Sequence, residues 1–266
     1  MMGYKIIFKK ILIFPIRKIK ELIHNFKYKK EISKIYKNNF IWSAQIGIVD
    51  DIGVKRGLKM SNTIINSISN AFKINFKYSQ SKIDSKYFNI FPGEHYKILA
   101  GLIEYEKPKT ILDIGTSSGM SSRIMLDYSP KDSKIATFDL IRWDKFDSHL
   151  LKNDFKDSRL TQYLDDLSNI ETFKKHLDLI DKADLIFLDA PKDGIFEYLF
   201  IKNLAQSKLS NKKRFLILDD IKFLNMVKLW RSIKSPKFDI TSFGHASGTG
   251  LVDISSKIEL DPIAFM

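Results

Sequence analysis

Short apolar runs alternate with longer amphipathic runs from Pro108 onward, and this alternation limits the possible folds more than any other feature of the sequence. The predicted strands are residues 110–114, 134–139, 159–164, 184–189, 215–219, 238–243 and 250–254, and the predicted helices are residues 120–128, 144–153, 169–177, 195–209 and 223–233. Strands joined through helices pair in parallel with right-handed crossovers, so we expect an α/β fold. The last two strands have no helix between them, which predicts a hairpin and one antiparallel strand at the end of the sheet.

Glycines and an aspartate follow the first two predicted strands, at the sheet edge where α/β proteins bind ligands. The first strand runs into the sequence DIGTSSGMS, which spans Asp113 to Ser121. Gly115 and Gly119 allow the backbone to turn tightly and to approach a ligand, and the helix that follows offers free N–H groups. Asp139 ends the second strand, where a carboxylate can accept two hydrogen bonds from a ribose diol.

Acidic residues also follow the next three strands. The third strand leads into Asp165 and Asp166, the fourth ends at Asp189, and the fifth ends at Asp219 and Asp220. Each feature alone is common, because a single aspartate after a strand is often a cap or a solvated loop residue. The ordered set predicts a binding site along one edge of the sheet, and an α/β domain with merely acidic loops is the alternative.

The segment 113–121 resembles the cofactor motif of class I S-adenosylmethionine-dependent methyltransferases, in particular the branch that contains catechol and caffeoyl-CoA O-methyltransferases. The resemblance covers roughly residues 91–254. It implies a Rossmann-like sheet of seven strands whose last strand is antiparallel, and S-adenosylmethionine as the cofactor. The cofactor-binding residues that it implies are Asp113, Gly115 and Ser121 around the methionine part, Thr116 and Gly119 in the same loop, Asp139 on the ribose, Asp166 beside the adenine, and Asp189.

The resemblance extends to the sequence LDAPKD at residues 188–193, which is similar to the Asp-x-x-Lys segment of that branch. In its metal-dependent members the aspartate is a metal ligand and the lysine is the assigned base, which correspond to Asp189 and Lys192 here. Asp219 and Asp220 stand where the branch usually has Asp-Asn. Three carboxylates suit Mg²⁺ or another divalent cation, so the implied metal ligands are Asp189, Asp219 and Asp220. A metal-independent site, with Lys192 paired to these carboxylates, remains open.

Methyl transfer to a hydroxyl needs a group that removes the proton of the acceptor. Lys192 could accept this proton if neighbouring positive charge lowers its pKa. His245 lies in the glycine-rich turn of residues 243–250 and is a second candidate base. The candidate catalytic residues are therefore Lys192, Asp189 and His245. His95 precedes the first strand, where it either starts a helix or approaches the cofactor.

Three other functions compete with an O-methyltransferase. An NAD-dependent oxidoreductase also uses a glycine loop and an acidic residue after the second strand, but this loop lacks the G-x-G-x-x-G spacing. An inactive S-adenosylmethionine-binding protein would have kept the fold and lost the chemistry, and the retained Asp139, Asp189 and Lys192 argue against it. Nucleic-acid methyltransferases often carry an aromatic residue after the fourth strand to hold a flipped base, and this chain has Asp189-Ala-Pro-Lys192 there.

Positive charge is concentrated at the amino end of the chain. The formal net charge is +13, and residues 1–38 contribute +9 of it through interleaved basic and apolar side chains. This pattern predicts either a basic amphipathic arm on an anionic membrane surface or a helix packed on a protein. The sequence contains no run of 18 uncharged apolar residues, and it contains no cysteine, which excludes disulfides and thiolate metal sites.

We therefore expect a basic helical extension over residues 1–90, a methyltransferase domain over residues 91–256 and a short tail over residues 257–266. Within the extension, residues 58–72 are the clearest helix, and another helix is expected over residues 93–104. The expected acceptor is a small-molecule, glycan or lipid-linked hydroxyl and not a nucleic acid. We expect the protein in the cytoplasm, with peripheral contact at the inner face of a membrane and a homodimer left open.

Overall fold

The computed structural model describes residues 54–76, 88, 95–156, 158–244 and 247–261. The basic arm predicted over residues 1–38 and the candidate base His245 lie outside these ranges. Within the part of the chain that is described, no helix has the length and apolar character needed to span a bilayer.

The centre of the fold is a seven-stranded sheet with the order β3-β2-β1-β4-β5-β7-β6. Strands β1 to β5 pair in parallel, and β7 pairs antiparallel with both β5 and β6. The strands are β1 (Thr110–Ile114), β2 (Lys134–Phe138), β3 (Leu160–Tyr163), β4 (Leu185–Leu188), β5 (Phe215–Asp219), β6 (Lys237–Asp239) and β7 (Thr249–Asp253). The described helices are α1 (Val54–Ala71), α2 (His95–Glu106), α3 (Met120–Tyr128), α4 (Ile170–Lys175), α5 (Leu177–Lys182), α6 (Ile195–Gln206) and α7 (Met226–Ser232).

The last strand is antiparallel, as expected, but its predicted place at the end of the sheet is wrong. β7 lies between β5 and β6, and its first four residues are buried. The edge strand β6 has only three residues and is partly exposed, which suits an edge position. β6 ends early because Asp239 accepts a hydrogen bond from the backbone N–H of Thr241 at 2.9 Å, where a 3-10 turn begins.

The helix predicted over residues 144–153 is not present. Short 3-10 turns at Trp143–Lys145 and Lys152–Phe155 take its place. Side chains accept hydrogen bonds from backbone N–H groups in this segment. Gln162 accepts one from the N–H of Trp143 at 2.9 Å, and Asp154 accepts one from the N–H of Leu151 at 2.7 Å. Such local bonds compete with the helical hydrogen-bond ladder.

The two faces of the sheet carry separate apolar clusters, and α1 belongs to one of them. Met60 on α1 is fully buried in the cluster that also holds Leu99 and Ile103 of α2. The two helices approach closely at Gly101, where a Cβ atom would collide with the carbonyl oxygen of Ser67. The predicted domain boundary at residue 90 is therefore not a structural division, because residues 54–76 pack into the same core.

The predicted tail also packs on the domain as far as it is described. Ile258 is buried in the apolar cluster on the other face of the sheet. Leu260 forms an isolated antiparallel bridge with Ile233, which follows α7.

Candidate active site

The glycine loop after β1 is pressed against the ends of two neighbouring strands. The N–H groups of Gly115 and Thr116 both donate to the carbonyl oxygen of Phe138, at 2.9 and 3.2 Å. Gly115 has φ of 107°, and a Cβ atom there would collide with the carbonyl oxygen of Asp189. Only glycine therefore allows the loop to lie this close to the residue that follows β4.

Asp113 lies beneath this loop and is completely buried. Its Oδ2 accepts hydrogen bonds from the hydroxyls of Ser121 at 3.0 Å, Thr137 at 3.1 Å and Ser122. Burial raises the pKa of Asp113 to about 7 even though these three bonds act to lower it. Asp113 thus joins β1, β2 and the first turn of α3, and among the described residues nothing hydrogen-bonds to its Oδ1.

Thr116 and Gly119 shape the same loop. The Thr116 hydroxyl is buried, shares a hydrogen bond of 2.7 Å with Thr137 and lies 3.2 Å from the Nε2 of Gln162, from which it accepts. Gly119 caps the amino end of α3. Thr116 is therefore turned toward the protein, and its predicted role in cofactor binding stays a prediction.

Asp139 follows β2 and lies next to the glycine loop. Its Oδ2 accepts from the backbone N–H of Ser117 at 2.8 Å, and its Oδ1 accepts from the N–H of Ile141 at 2.9 Å. A carboxylate oxygen has about two acceptor sites, so each oxygen retains one for a ribose hydroxyl. The residues present therefore fit the ribose of S-adenosylmethionine.

Asp166 also has protein partners. Its Oδ1 accepts from the backbone N–H of Ser168 at 2.8 Å and from the hydroxyl of that serine at 2.6 Å. These bonds hold the turn that leads to α4. Its predicted role beside the adenine stays a prediction.

Three carboxylates from two adjacent strand ends meet around one lysine. β4 pairs in parallel with β5, so Asp189 and Asp219 end neighbouring strands. The Nζ of Lys192 lies 2.6 Å from Asp189 Oδ1, 2.8 Å from Asp219 Oδ2 and 2.5 Å from Asp220 Oδ2. The structure thus brings together the three predicted metal ligands and the predicted base, in a group that we call the acidic cluster: Asp189, Asp219, Asp220 and Lys192.

The backbone of the turn before α6 directs the side chain of Lys192 toward the three carboxylates of the cluster. Lys192 has φ of 66°, a conformation that is unusual for a residue with a side chain. Buried Glu197 holds this turn, because its two oxygens accept from the N–H groups of Lys192 at 2.9 Å and Gly194 at 3.0 Å. Asp193 caps the helix by accepting from the N–H groups of Ile195 and Phe196.

The charges around Lys192 oppose its predicted role as a base. Burial alone would lower the pKa of Lys192, but Asp189 and Asp219 outweigh burial and raise this pKa well above its ordinary value. The described groups in contact with Lys192 Nζ are carboxylates and not the expected positive charge. Lys192 therefore holds its proton in this arrangement. Burial and the charge of Asp219 raise the pKa of Asp189.

His95 starts a helix, which was one of its two expected roles, and it also lies beside Asp189 and Asp219, which was not predicted. It begins α2, is 6% exposed and stacks on Phe187 of β4 with a ring-centroid distance of 6.3 Å. One ring nitrogen of His95 and one oxygen each of Asp189 and Asp219 all lie within 4.8 Å of one another. No spacing in the sequence links residue 95 to these aspartates, because only tertiary packing brings α2 to them.

The donor atoms of the site fit a divalent cation. Oδ1 of Asp219 is buried and has no hydrogen-bond partner among the described residues. Three ionised carboxylates and one ammonium leave two net negative charges, which a divalent cation would neutralise. Carboxylate oxygens with one imidazole are a ligand set found for several divalent metals in proteins.

No protein-family model matches the chain. It is 23% identical over 220 residues, 80% of each sequence, to a Dictyostelium discoideum protein named "Probable caffeoyl-CoA O-methyltransferase 3". Among solved structures it is similar to an SAH-bound methyltransferase from Podospora anserina, with 15% identity, a TM-score of 0.45 and coverage of 80% of this chain and 99% of that one. It is also similar to a methyltransferase from Geobacter sulfurreducens, with 11% identity, a TM-score of 0.42 and coverage of 76% and 97%. The strand order with antiparallel β7 is that of the Rossmann-like methyltransferase fold, and the glycine-loop sequence and the Dictyostelium relative support the resemblance of the chain to class I S-adenosylmethionine-dependent methyltransferases of the catechol and caffeoyl-CoA O-methyltransferase branch.

Proposed function

We propose that the chain is an S-adenosylmethionine-dependent O-methyltransferase that acts on a hydroxyl of a small molecule bound beside the acidic cluster, with a divalent cation in the same site. The observation that carries the proposal is the convergence of three carboxylates on Lys192 at the ends of β4 and β5. Gly115 of the glycine loop contacts the backbone of Asp189, so the loop and the cluster are adjacent. The name of the Dictyostelium relative supports an oxygen atom as the acceptor.

Each part of the chain has a distinct role in this proposal. When bound, S-adenosylmethionine supplies the methyl group and a divalent cation supplies positive charge that favours the ionised acceptor. Asp139 binds the ribose, and Asp113 supports the loop from below. The sheet edge would hold the acceptor oxygen close to the methyl group, and such positioning can supply a large part of the rate enhancement.

We assign Lys192 the role of a fixed positive charge beside the acceptor oxygen. A protonated lysine stabilises the negative charge that develops on this oxygen, but it cannot accept its proton. A cation held in part by Asp189 would lower the pKa of the acceptor hydroxyl, so that its proton could leave for water. His245 stays a predicted second base.

The class of acceptor is a separate question. Small phenols, glycans and lipid-linked hydroxyls are all compatible with a site that recognises the reacting oxygen through charge. The positive charge of residues 1–38 supports an anionic or lipid-linked acceptor and peripheral contact with a membrane.

The test is a transfer assay with the full chain and methyl-labelled S-adenosylmethionine, offered to phenols, glycans and lipid-linked sugars. We expect label on an oxygen atom of one class, and a loss of about a hundredfold in kcat for Asp189→Asn. Asp132→Asn is the matched control, because Asp132 is an exposed aspartate at the opposite edge of the sheet. Label on nitrogen or carbon, or full activity of Asp189→Asn, would contradict the proposal.

A further inference from the structure

We infer that His95 is a metal ligand of this enzyme, so that the cation is held by one histidine and two aspartates, Asp189 and Asp219. The inference rests on the cation of the proposed function and specifies how this chain binds it. It departs from the ligand set that the family resemblance implies, in which Asp220 would be the third ligand.

The three side chains are already close to the separation that a metal requires. Ligand atoms about 2.1 Å from one ion lie roughly 3 to 4 Å apart. The ligand atoms of His95, Asp189 and Asp219 are all within 4.8 Å of one another, so small side-chain rotations suffice. Among the residues that the structure describes, no other group of three histidine or acidic side chains meets this condition.

Asp219 and Asp220 differ in what already binds them. Oδ1 of Asp219 is buried and accepts no hydrogen bond from the described residues. Both oxygens of Asp220 are engaged, because Oδ2 lies 2.5 Å from the Nζ of Lys192 and Oδ1 accepts from the hydroxyl of Ser247. Coordination by Asp219 therefore satisfies a buried oxygen that has no partner among the described residues, whereas each oxygen of Asp220 already has one.

The imidazole of His95 is held in place before a metal binds. Its ring lies parallel to that of Phe187, at an angle of 8°, and contacts the ring of Tyr96 at a centroid distance of 4.0 Å. Phe187 belongs to β4, the strand that is followed by Asp189. The same strand thus orients the histidine and supplies one of the carboxylates.

A nitrogen ligand changes which metal is favoured. Mg²⁺ prefers oxygen ligands, whereas Mn²⁺, Co²⁺ and Zn²⁺ accept imidazole more readily. We therefore expect this site to bind Mn²⁺ and Co²⁺ more tightly than Mg²⁺, and the nitrogen ligand to be lost in a variant without the His95 imidazole.

The experiment titrates Mn²⁺ into the purified full chain and records its electron paramagnetic resonance. Free and bound Mn²⁺ give the affinity, and pulsed spectra report whether a nitrogen nucleus is coupled to the bound ion. His95→Phe keeps an aromatic ring on Phe187 and removes the nitrogen. His149→Phe is the matched control, because His149 is also a buried histidine packed against an aromatic ring, that of Phe88.

We expect wild type and His149→Phe to bind one Mn²⁺ with nitrogen coupling, and His95→Phe to lose the coupling and at least tenfold in affinity. His95→Gln provides a second variant if His95→Phe does not fold. Binding of Mn²⁺ without nitrogen coupling would overturn the inference while leaving cation-assisted methyl transfer intact. Absence of any Mn²⁺ binding would overturn both the inference and the cation of the proposed function, whereas methyl transfer would still be measured separately.

Discussion

Asp113 is the residue in which burial and ionisation compete most directly. Its pKa in the folded protein is about 7, compared with an ordinary value of 3.8. The folded state therefore binds more protons than the unfolded state between these two values, and the contribution of Asp113 to stability is lost as the pH rises toward 7. Without cofactor, Asp113→Asn should remove this loss.

The expected size of this effect follows from the shift. Between about pH 5 and about pH 8, the free energy of unfolding of wild type should fall relative to that of Asp113→Asn by roughly 3 kcal/mol. Urea denaturation at the two pH values measures this difference. A constant difference between the two proteins would show that Asp113 is already ionised in the folded state at about pH 5.

Substitutions of Lys192 distinguish a mechanism in which it acts as a positive charge from one in which it acts as a base. If Lys192 acts as a positive charge, Lys192→Arg should keep kcat within about tenfold of wild type, whereas Lys192→Met should lose about a hundredfold. An arginine stays protonated at all relevant pH values and cannot act as a base. Steady-state kinetics at saturating S-adenosylmethionine tests this, and equal losses in both variants would contradict the charge role.

The sequence predicted correctly that several candidate site residues end or directly follow strands at one edge of the sheet. Asp139, Asp189 and Asp219 could be predicted because apolar runs mark where β2, β4 and β5 end, and parallel strands bring their ends to one edge. His95 could not, because the packing of α2 against β4 depends on side chains distant in sequence. The raised pKa of Lys192 could not be predicted either, since it depends on three carboxylates meeting at a single atom.

At the scale of elements, strands were easier to predict than the segments between them. All seven strands overlap their predicted ranges, because short runs of apolar residues form few structures other than buried strands. The helix expected over residues 144–153 failed because Asp154 and Gln162 bind backbone N–H groups of the segment. The predicted position of β7 was wrong because strand order depends on how the connection from β5 crosses the sheet. The hairpin pattern in the sequence carries no information about that connection.

Helix α1 provides a prediction about the extent of the domain. Met60 is fully buried, whereas Ile65 on the same helix is 63% exposed. Met60→Ala should lower the free energy of unfolding by about 2 to 4 kcal/mol, and Ile65→Ala by less than about 1 kcal/mol. Chemical denaturation of both variants measures this. Similar small effects would show that α1 is an appendage and not part of the core.

At the scale of the whole molecule, the proposed function makes methyl transfer depend on a metal ion bound at the acidic cluster. Excess chelator should reduce methyl transfer by at least a hundredfold, and added Mn²⁺ should restore it, because the cluster carries two net negative charges beside the acceptor. Binding of S-adenosylmethionine should change little, since Asp139 and the glycine loop lie outside the cluster. Full activity in chelator would leave Lys192 as the positive charge of the site.

The edge formed by the glycine loop and Asp139 is the predicted binding site of S-adenosylmethionine. Calorimetric titration of the full chain with S-adenosylmethionine and, separately, with NAD⁺ tests it most directly, with Asp139→Ala as the variant and Asp132→Ala as the control. We predict that wild type and Asp132→Ala bind one S-adenosylmethionine and no NAD⁺, and that Asp139→Ala binds about tenfold more weakly or worse. Binding of NAD⁺, or unchanged affinity for S-adenosylmethionine in Asp139→Ala, would contradict the account.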